Sequence, residues 1–145
     1  MKQAGEMKLI SNVKLVLRGP DGKVKETRVA NTVTTAGKNG SADQLLASPT
    51  IAKPGWMAVG TGTPGATLLG VEIDRNALTS KTRSGAVVTF VGDWAAGDAT
   101  GALTEAGVFN VVTANTIDMY VSASFSVVNK GASDTLQITW TLTFA

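Results

Sequence analysis

The clearest pattern in the chain is the alternation of apolar and polar residues near its C-terminal end. From Leu136 to Phe144, apolar side chains at even positions alternate with threonine or glutamine. An earlier segment alternates in the same way, and its predicted core-facing residues are Ile117, Met119, Val121, Ala123, Phe125 and Val127. Because successive side chains of a strand point to opposite faces, the pattern predicts two long antiparallel strands with one solvated face. The turn between them is predicted at Asn129–Ser133.

A third alternating segment lies near the N-terminus and predicts a β-hairpin. The sequence MKLISNVKLVLR at positions 7–18, which alternates from Val13 on, is followed by Gly19-Pro20-Asp21-Gly22 and by a second strand from Lys23 to Ala30. Proline fixes one corner of such a turn, and glycine accepts the positive φ that it needs. Residues 32–47 are the best helix candidate, in which Ser41 and Gln44 have the spacing of a capping box.

The middle of the chain predicts further short strands separated by glycine-rich loops. The strand candidates are Trp56–Val59, Arg75–Arg83, Gly85–Val91 and Leu103–Val112. Several strands at a spacing of about 8–12 residues are typical of a β-sandwich or an open barrel. We therefore predict a mainly β fold: a single antiparallel sandwich of jelly-roll-like form over residues 13–145, with one short helix and an N-terminal arm at residues 1–12.

Composition excludes several classes of chemistry. The 145 residues include no cysteine and no histidine, so the chain has no disulfide framework, thiol nucleophile, Ser-His-Asp triad or imidazole base. We expect a protein that is not an enzyme and that holds no cofactor and no metal. The sequence MKQAGEMK at the N-terminus is neither a signal peptide nor the start of a membrane span. We therefore expect synthesis in the cytoplasm and no membrane partner.

Charge is distributed unevenly along the chain. Residues 1–60 carry nine lysines and arginines and four acidic residues, a net charge of +5, whereas residues 61–145 carry four and seven, a net charge of −3. The basic segment fits a solvated hairpin face, an arm that docks on an acidic neighbour, or a nucleic-acid footprint. Aromatic residues do not interleave with these cations, which argues against nucleic acid. We assign the cations Lys2, Lys8, Lys14 and Arg18 to a partner-binding arm.

Several short segments match known motifs but lack the structural context that the chemistry of each motif requires. Residues 60–65 spell G-x-G-x-x-G, but Pro64 removes a backbone donor and no β-α-β unit surrounds them, so we interpret them as a turn. Ser11 and Lys14 match S-x-x-K, but on a strand their side chains point to opposite faces. We interpret Glu72 and Asp74 as a solvated edge rather than as a catalytic or cation-binding pair of carboxylates.

Glu105 is a candidate for a buried charge. It lies among apolar residues, and a carboxylate buried in such surroundings needs a partner. We expect a structural ion pair with Arg75 or Arg83. A functional role of Glu105 at a subunit contact is the alternative.

Two tryptophans receive different predictions. Trp140 belongs to a predicted core face. Trp94 lies in the glycine-rich segment 92–101, and we expect it to be an exposed aromatic anchor for a partner, together with Asp93 and Asp98. That segment lacks the alternate-residue ligands of a calcium loop.

Several segments resemble a family of small virion proteins of tailed bacteriophages. The segments are VTTAGKN at 33–39, ADQL at 42–45, MAVGTG at 57–62, RNALTS at 75–80, TEAGVFN at 104–110 and VNKGASDTLQITWTLT at 128–143. The resemblance extends from Val13 to Phe144, and TEAGVFN and ITWTLTF are its most specific parts. Members of this family are described as capsid decoration (cement) proteins or as tail-fibre or tail-associated proteins.

The resemblance implies a non-enzymatic structural protein of the virion. We expect capsid decoration: binding to the outer surface of the assembled head and bridging of neighbouring subunits of the major capsid protein lattice, which would stabilise the shell. A homo-oligomer, and a trimer in particular, suits a symmetric lattice. The alternative is a tail-fibre or baseplate receptor-binding module that contacts carbohydrate or the cell wall through the loops Thr61–Thr67 and Asp93–Thr100. A cell-wall glycosidase is a third hypothesis.

Overall fold

The alternating segments of the sequence form antiparallel strands that pack as two layers. The computed structural model describes residues 7–30, 33–116 and 118–145. Its elements are β1 (Leu9–Arg18), β2 (Val24–Ala30), α1 (Thr35–Asp43), β3 (Trp56–Gly60), β4 (Glu72–Ala77), β5 (Ser80–Ser84), β6 (Val87–Trp94), β7 (Gly101–Phe109), β8 (Met119–Lys130) and β9 (Thr135–Phe144). A five-stranded sheet has the order β2-β1-β9-β6-β5, and a four-stranded sheet has the order β4-β3-β7-β8. The prediction of a mainly β, antiparallel sandwich with a short helix is confirmed.

The predicted N-terminal hairpin is present, and its first strand begins earlier than expected. The Gly22 N–H donates to the Gly19 carbonyl at 2.9 Å, and Gly22 has the expected positive φ of 79°. β1 starts at Leu9, which pairs with Phe144 of β9. Residues 9–12, which the sequence assigns to an arm, therefore belong to the five-stranded sheet, because β9 is long enough to pair with them. Residues 1–6 lie outside the described residues.

The main core lies between the two sheets. Its largest contributors are Leu15, Leu17, Trp94, Leu136, Ile138 and Trp140 from the five-stranded sheet and Met57, Val59, Leu103, Val108 and Val121 from the four-stranded sheet. Full burial of such side chains contributes about 1.5–3 kcal/mol each. Trp140 is buried as predicted, and its indole N–H donates to the Ser11 hydroxyl at 2.6 Å. Ser11 thus faces the core while Lys14 is exposed, so the S-x-x-K match brings no lysine to the serine.

The second half of β8 departs from the predicted alternation. The residues buried as expected are Met119, Val121 and Ala123. Val127 is exposed, however, and Val128 is buried in its place. The pairing of β7 with β8 shifts register between Leu103 and Glu105, which moves the inward positions from odd to even residues. Ile117 lies outside the described residues.

Helix α1 covers the first half of β8. Tyr120 and Ser122, expected on a solvated face, are buried there. The Thr34 hydroxyl caps the helix by accepting a hydrogen bond from the Gly37 N–H at 3.0 Å, and it also lies 2.9 Å from the Tyr120 carbonyl. The capping box predicted at Ser41 is wrong, because Ser41 lies inside the helix and donates to the Gly37 carbonyl at 2.8 Å.

Two glycines let the helix approach β8 closely. A Cβ atom on Gly37 would lie 1.9 Å from the Tyr120 carbonyl oxygen, and one on Gly40 would lie 2.5 Å from the Tyr120 ring. The glycines lower the intrinsic stability of the helix, but they are what allows it to pack here. With nine residues, α1 falls well short of a membrane span, and no other helix in the described ranges reaches one.

A corner between β4 and β5 carries the chain from one sheet to the other. The single strand predicted at Arg75–Arg83 is therefore two strands. At the corner the Leu78 N–H donates to the Gly55 carbonyl at 2.9 Å and the Thr79 N–H to the Val91 carbonyl at 2.8 Å. β5 becomes an edge strand whose five residues are all exposed. Lysine on such an edge discourages pairing with a stray strand.

Candidate functional site

A groove lies at the end of the sandwich where β1 begins and β9 ends. Residues of α1 and of the segment after it face residues of the five-stranded sheet across this groove. Two adjacent parts, about 830 Å³ and 470 Å³ in volume, share Ser41, Gln44 and Phe144. Each volume lies within the range of about 300–1,000 Å³ that is usual for ligand sites.

The floor of the groove is apolar. It consists of Leu9, Val88, Phe90, Leu142 and Phe144. Strand pairing places these side chains side by side, because Leu9 pairs with Phe144 and Val88 with Leu142. A ligand with apolar groups would gain about 25 cal/mol for each Å² of apolar surface that it buries here.

The rim of the groove is basic. Its cations, which we call the rim cations, are Lys8, Lys38, Lys53, Lys81 and Arg83. Among the described residues that line either part, none is acidic. The rim cations come from the residue before β1, from α1, from the segment before β3 and from β5, so only the folded chain brings them together.

The edge strand β5 aims two cations at the groove. Lys81 pairs with Phe90 and Arg83 pairs with Val88, so both cations leave the sheet on the face that forms the apolar floor. The Lys81 ammonium donates to the Pro54 carbonyl at 2.8 Å and spans the groove toward the segment before β3. The Arg83 guanidinium donates to the Gly85 carbonyl at 2.8 Å.

Tyr120 fixes the inner end of the groove. Its hydroxyl donates to the Ala52 carbonyl at 2.7 Å, and burial, with smaller effects of Asp118 and Asp43, raises the pKa of Tyr120 to about 12. The phenol is therefore a neutral donor at ordinary pH. The Asp43 carboxylate is turned toward the loop after α1, where hydrogen bonds from the Ile51 and Thr50 N–H groups lower its pKa.

Exposed apolar side chains lie beside the rim cations. Met7 is 76% exposed and Leu45 is 83% exposed, and both line the larger part of the groove. Exposed apolar surface next to a groove is typical of an interaction site. The arrangement suits binding of a ligand that carries negative charge and apolar groups together.

The cations assigned to an arm from sequence are not gathered at one place. Lys8 belongs to the rim of the groove. Lys14 and Arg18 lie along β1, opposite Thr139 and Thr135 of β9, with their side chains exposed on the outer face of the five-stranded sheet. Lys2 lies outside the described residues. The structure therefore divides the predicted arm between two surfaces.

The predicted anchor at Trp94 is wrong. Trp94 is the last residue of β6, pairs with Leu136 of β9 and is only 1% exposed, because β6 continues past Gly92 into the core. Asp93 is half-buried and its carboxylate accepts from the Gln137 amide at 3.0 Å. Asp98 is exposed in the loop that follows.

The loop after Trp94 is held by a buried lysine. Lys130, expected in a turn, is the last residue of β8 and is 2% exposed. Its ammonium donates to the Ala95 carbonyl at 3.0 Å. Burial lowers the pKa of Lys130, partly offset by the charge of Asp134. This loop lies at the end of β6 remote from the groove.

The ion pair predicted for Glu105 is wrong. The Glu105 side chain is fully buried, but its carboxylate accepts three backbone N–H groups, from Gly62 at 2.6 Å, Gly70 at 2.7 Å and Val71 at 2.8 Å. These donors belong to the loop 61–71, which crosses the outer face of the four-stranded sheet. Backbone donors of a folded loop can satisfy a buried carboxylate as well as a cation can.

Arg75 pairs instead with Glu72. Two hydrogen bonds of 2.7 Å and 3.0 Å join the groups, both side chains are 1% exposed, and the guanidinium lies 3.7 Å from the centre of the Phe109 ring. Arg75 also donates to the Val111 carbonyl at 3.0 Å. The interpretation of Glu72 as part of a solvated edge is therefore wrong, and its role is structural.

Comparison of the chain with protein-family models, with curated proteins and with solved structures finds no match.

Of the rim cations, the sequence assigns only Lys8 to partner binding. It gives no role to Lys38, Lys53 and Lys81, and it gives Arg83 a different role, an ion pair with Glu105. Their separation along the chain gives no local signal, and only the placement of α1 and β5 brings them together. One feature of the sequence does point to the groove. If β5 and β6 are taken as a hairpin, Lys81 and Arg83 fall on the same face of the sheet as Phe90 and Val88.

Proposed function

We propose that this protein is a non-enzymatic structural component of a tailed-phage virion: a capsid decoration protein that binds the outer surface of the assembled head. The observation that carries the proposal is the groove, in which cations surround an apolar floor. The resemblance of the sequence to small virion proteins supports the same function. The partner is the lattice of the major capsid protein.

Decoration stabilises a shell through mass action. A protein that binds the assembled lattice and not the separated subunits lowers the free energy of the assembled state alone. A rigid sandwich suits this role, because little conformational entropy is lost when its surface binds. A trimer or another closed ring would place several copies of the groove on one symmetric lattice site and multiply weak contacts into high avidity.

The surface of the partner that meets the rim cations would be acidic. An acidic surface would be attracted to them over about 8–10 Å at ordinary salt, and the attraction would weaken as salt is added. Apolar contacts with the floor would persist at high salt. Head binding should therefore fall with ionic strength without disappearing.

Sedimentation with capsids tests the proposal. Empty, expanded heads assembled from the major capsid protein of the same genome are mixed with the chain, and unassembled capsid protein serves as the control. We expect co-sedimentation that saturates at a fixed ratio to the lattice, and heads that disassemble at a higher temperature when decorated. A chain that stays in the supernatant at all concentrations would refute decoration.

A second candidate function is a receptor-binding tail module. One observation favours it: a depression of about 370 Å³ beside the loop Thr61–Thr67 is lined by hydroxyl side chains, including Thr34, Thr63, Ser122 and Ser124. Hydroxyl groups at such a place could bond a carbohydrate. Binding of the chain to host cells or to their surface polysaccharide, with no binding to heads, would support this function over decoration.

A further inference from the structure

We infer that the groove accepts an extended acidic peptide segment of the partner, in which acidic side chains alternate with large apolar ones. The inference deepens the proposed function and rests on it for the identity of the partner. The capsid protein would supply the segment from a surface loop or a terminus.

The geometry of the groove matches the side-chain pattern of an extended strand. Successive side chains of such a segment point in opposite directions. One set would reach the floor at Phe144 and Val88, and the other would reach the rim. Lys38 lies on the helix side of the groove and Arg83 on the sheet side. The acidic side chains of the segment would therefore have a cation within reach on each side of the groove.

A second copy of this chain is a poor occupant. The carboxylates of Glu72 and Glu105 are buried, and that of Asp134 is 4% exposed and paired with Lys25 at 3.0 Å. The sequence ahead of Met7 contains one lysine and one glutamate, and so brings no excess of negative charge. Asp21, Asp98 and Asp118 are exposed, but each lies in a turn or loop and not in an extended acidic segment, so we assign the segment to another protein.

Nucleic acid also fits the groove less well than a peptide. Bases bind single-stranded sites by stacking on exposed aromatic rings. The Phe90 side chain is 3% exposed and that of Tyr120 is 2% exposed, so among the described lining residues only the half-buried Phe144 offers a ring, and a run of stacked bases needs several.

Fluorescence anisotropy with synthetic peptides tests the inference on the full chain. The probe is a short, labelled peptide in which glutamate alternates with phenylalanine and leucine. Its controls are the same peptide with lysine for glutamate, the same peptide with serine for the apolar residues, and a short oligothymidylate. We expect only the first to bind well, and its affinity to fall about tenfold as salt is raised from low to high concentration.

Substitutions inside and outside the groove test whether the peptide binds there. Lys38→Glu combined with Lys53→Glu should weaken binding about tenfold or more. Ala42→Trp fills the groove from the exposed face of α1 without altering charge, and should also weaken binding at least about fivefold, whereas Ala96→Trp in the remote loop should not. All four residues are exposed, so unfolding midpoints near the wild-type value are expected.

The outcomes separate the inference from the proposed function. Equal binding of the serine peptide, tighter binding of the oligothymidylate, or full affinity of Ala42→Trp would each overturn the inference. Heads that bind the chain while the peptide does not would overturn the inference and leave decoration standing. Peptide binding without head binding would support the inference and refute decoration.

Discussion

The carboxylate of Glu105 lies 2.6 Å from the backbone nitrogen of Gly62, across the outer face of the four-stranded sheet. A Cβ atom at position 62 would lie 2.8 Å from the Val71 backbone nitrogen and 2.9 Å from the same carboxylate oxygen, so the close approach requires glycine. The Thr104 hydroxyl adds a bond of 2.7 Å to the Gly62 carbonyl. A buried charge on β7 thereby fixes the loop 61–71, and the string of glycines that resembles a nucleotide motif serves this contact.

Replacement of Glu105 by glutamine should destabilise the fold. An amide offers one acceptor oxygen and turns an N–H₂ group toward backbone donors, so at least one buried N–H loses its partner. We expect Glu105→Gln to lower the free energy of unfolding by about 2–3 kcal/mol, measured by urea denaturation. Asp98→Asn, the same change at an exposed site, should have an effect below about 0.5 kcal/mol. Equal effects of the two variants would contradict the role given to Glu105.

Replacement by phenylalanine should change the stability of the protein by different amounts at the two core tryptophans. Trp140 donates to Ser11, whereas among the described residues none accepts the Trp94 indole N–H. Trp140→Phe loses a hydrogen bond and leaves Ser11 without a donor, but Trp94→Phe removes a desolvated polar group. We expect Trp140→Phe to be the more destabilising by about 1 kcal/mol in urea unfolding. The reverse order would contradict this assignment of the two indoles.

Gly37→Ala should destabilise the protein although alanine favours helices. The new Cβ would lie 1.9 Å from the Tyr120 carbonyl oxygen, so α1 would have to move away from β8. We expect a loss of about 1–3 kcal/mol, as for other overpacked sites, where helix propensity alone predicts a gain. Asn39→Ala, on the exposed side of the helix, is the control and should be neutral or slightly stabilising. A Gly37→Ala protein as stable as wild type would show that the contact is not tight.

Tyr120 should make the free energy of unfolding depend on pH in the alkaline range. Its pKa is about 12 in the folded protein against 10 for the free side chain, so the unfolded chain releases the proton first. The stability that neutral Tyr120 contributes is fully present below pH 10 and is lost as the pH rises toward 12, by up to about 1.4 kcal/mol for each pH unit. The free energy of unfolding, measured as a function of pH, should fall less steeply for Tyr120→Phe than for the wild-type protein.

Absorbance provides a direct check, because the chain has one tyrosine. Near-ultraviolet titration of the folded protein should show tyrosinate forming near pH 12. Titration near pH 10 in the folded state would contradict the buried, hydrogen-bonded phenol.

The sequence predicts the parts of this fold that depend on local pattern. The alternation at 136–144 predicts β9, and the Gly19–Gly22 turn predicts the hairpin of β1 and β2, since period and turn chemistry are properties of neighbouring residues. Trp94 shows the limit. Its glycine-rich neighbourhood indicates a loop, but pairing with Leu136 of β9 draws it into the core, and this pairing is not visible from positions 92–101.

The candidate site is less predictable than the strands. The basic N-terminal segment singles out Lys8, but the other cations of the groove, such as Lys38 and Arg83, come from a helix and an edge strand far along the chain. The apolar neighbours of Glu105 predict its burial, but its hydrogen-bond donors are backbone N–H groups, which no residue type in the sequence predicts. Contacts that depend on the course of the backbone through space need the structure.

Comparison of two double charge reversals on expanded heads tests the central claim most directly. Lys38→Glu with Lys53→Glu alters the groove, and Lys14→Glu with Arg18→Glu makes the same change of charge on the outer face of the five-stranded sheet. We predict that the groove variant loses head affinity about tenfold or more while the outer-face variant stays within about threefold of wild type. A groove variant that decorates heads as tightly as wild type would contradict the account.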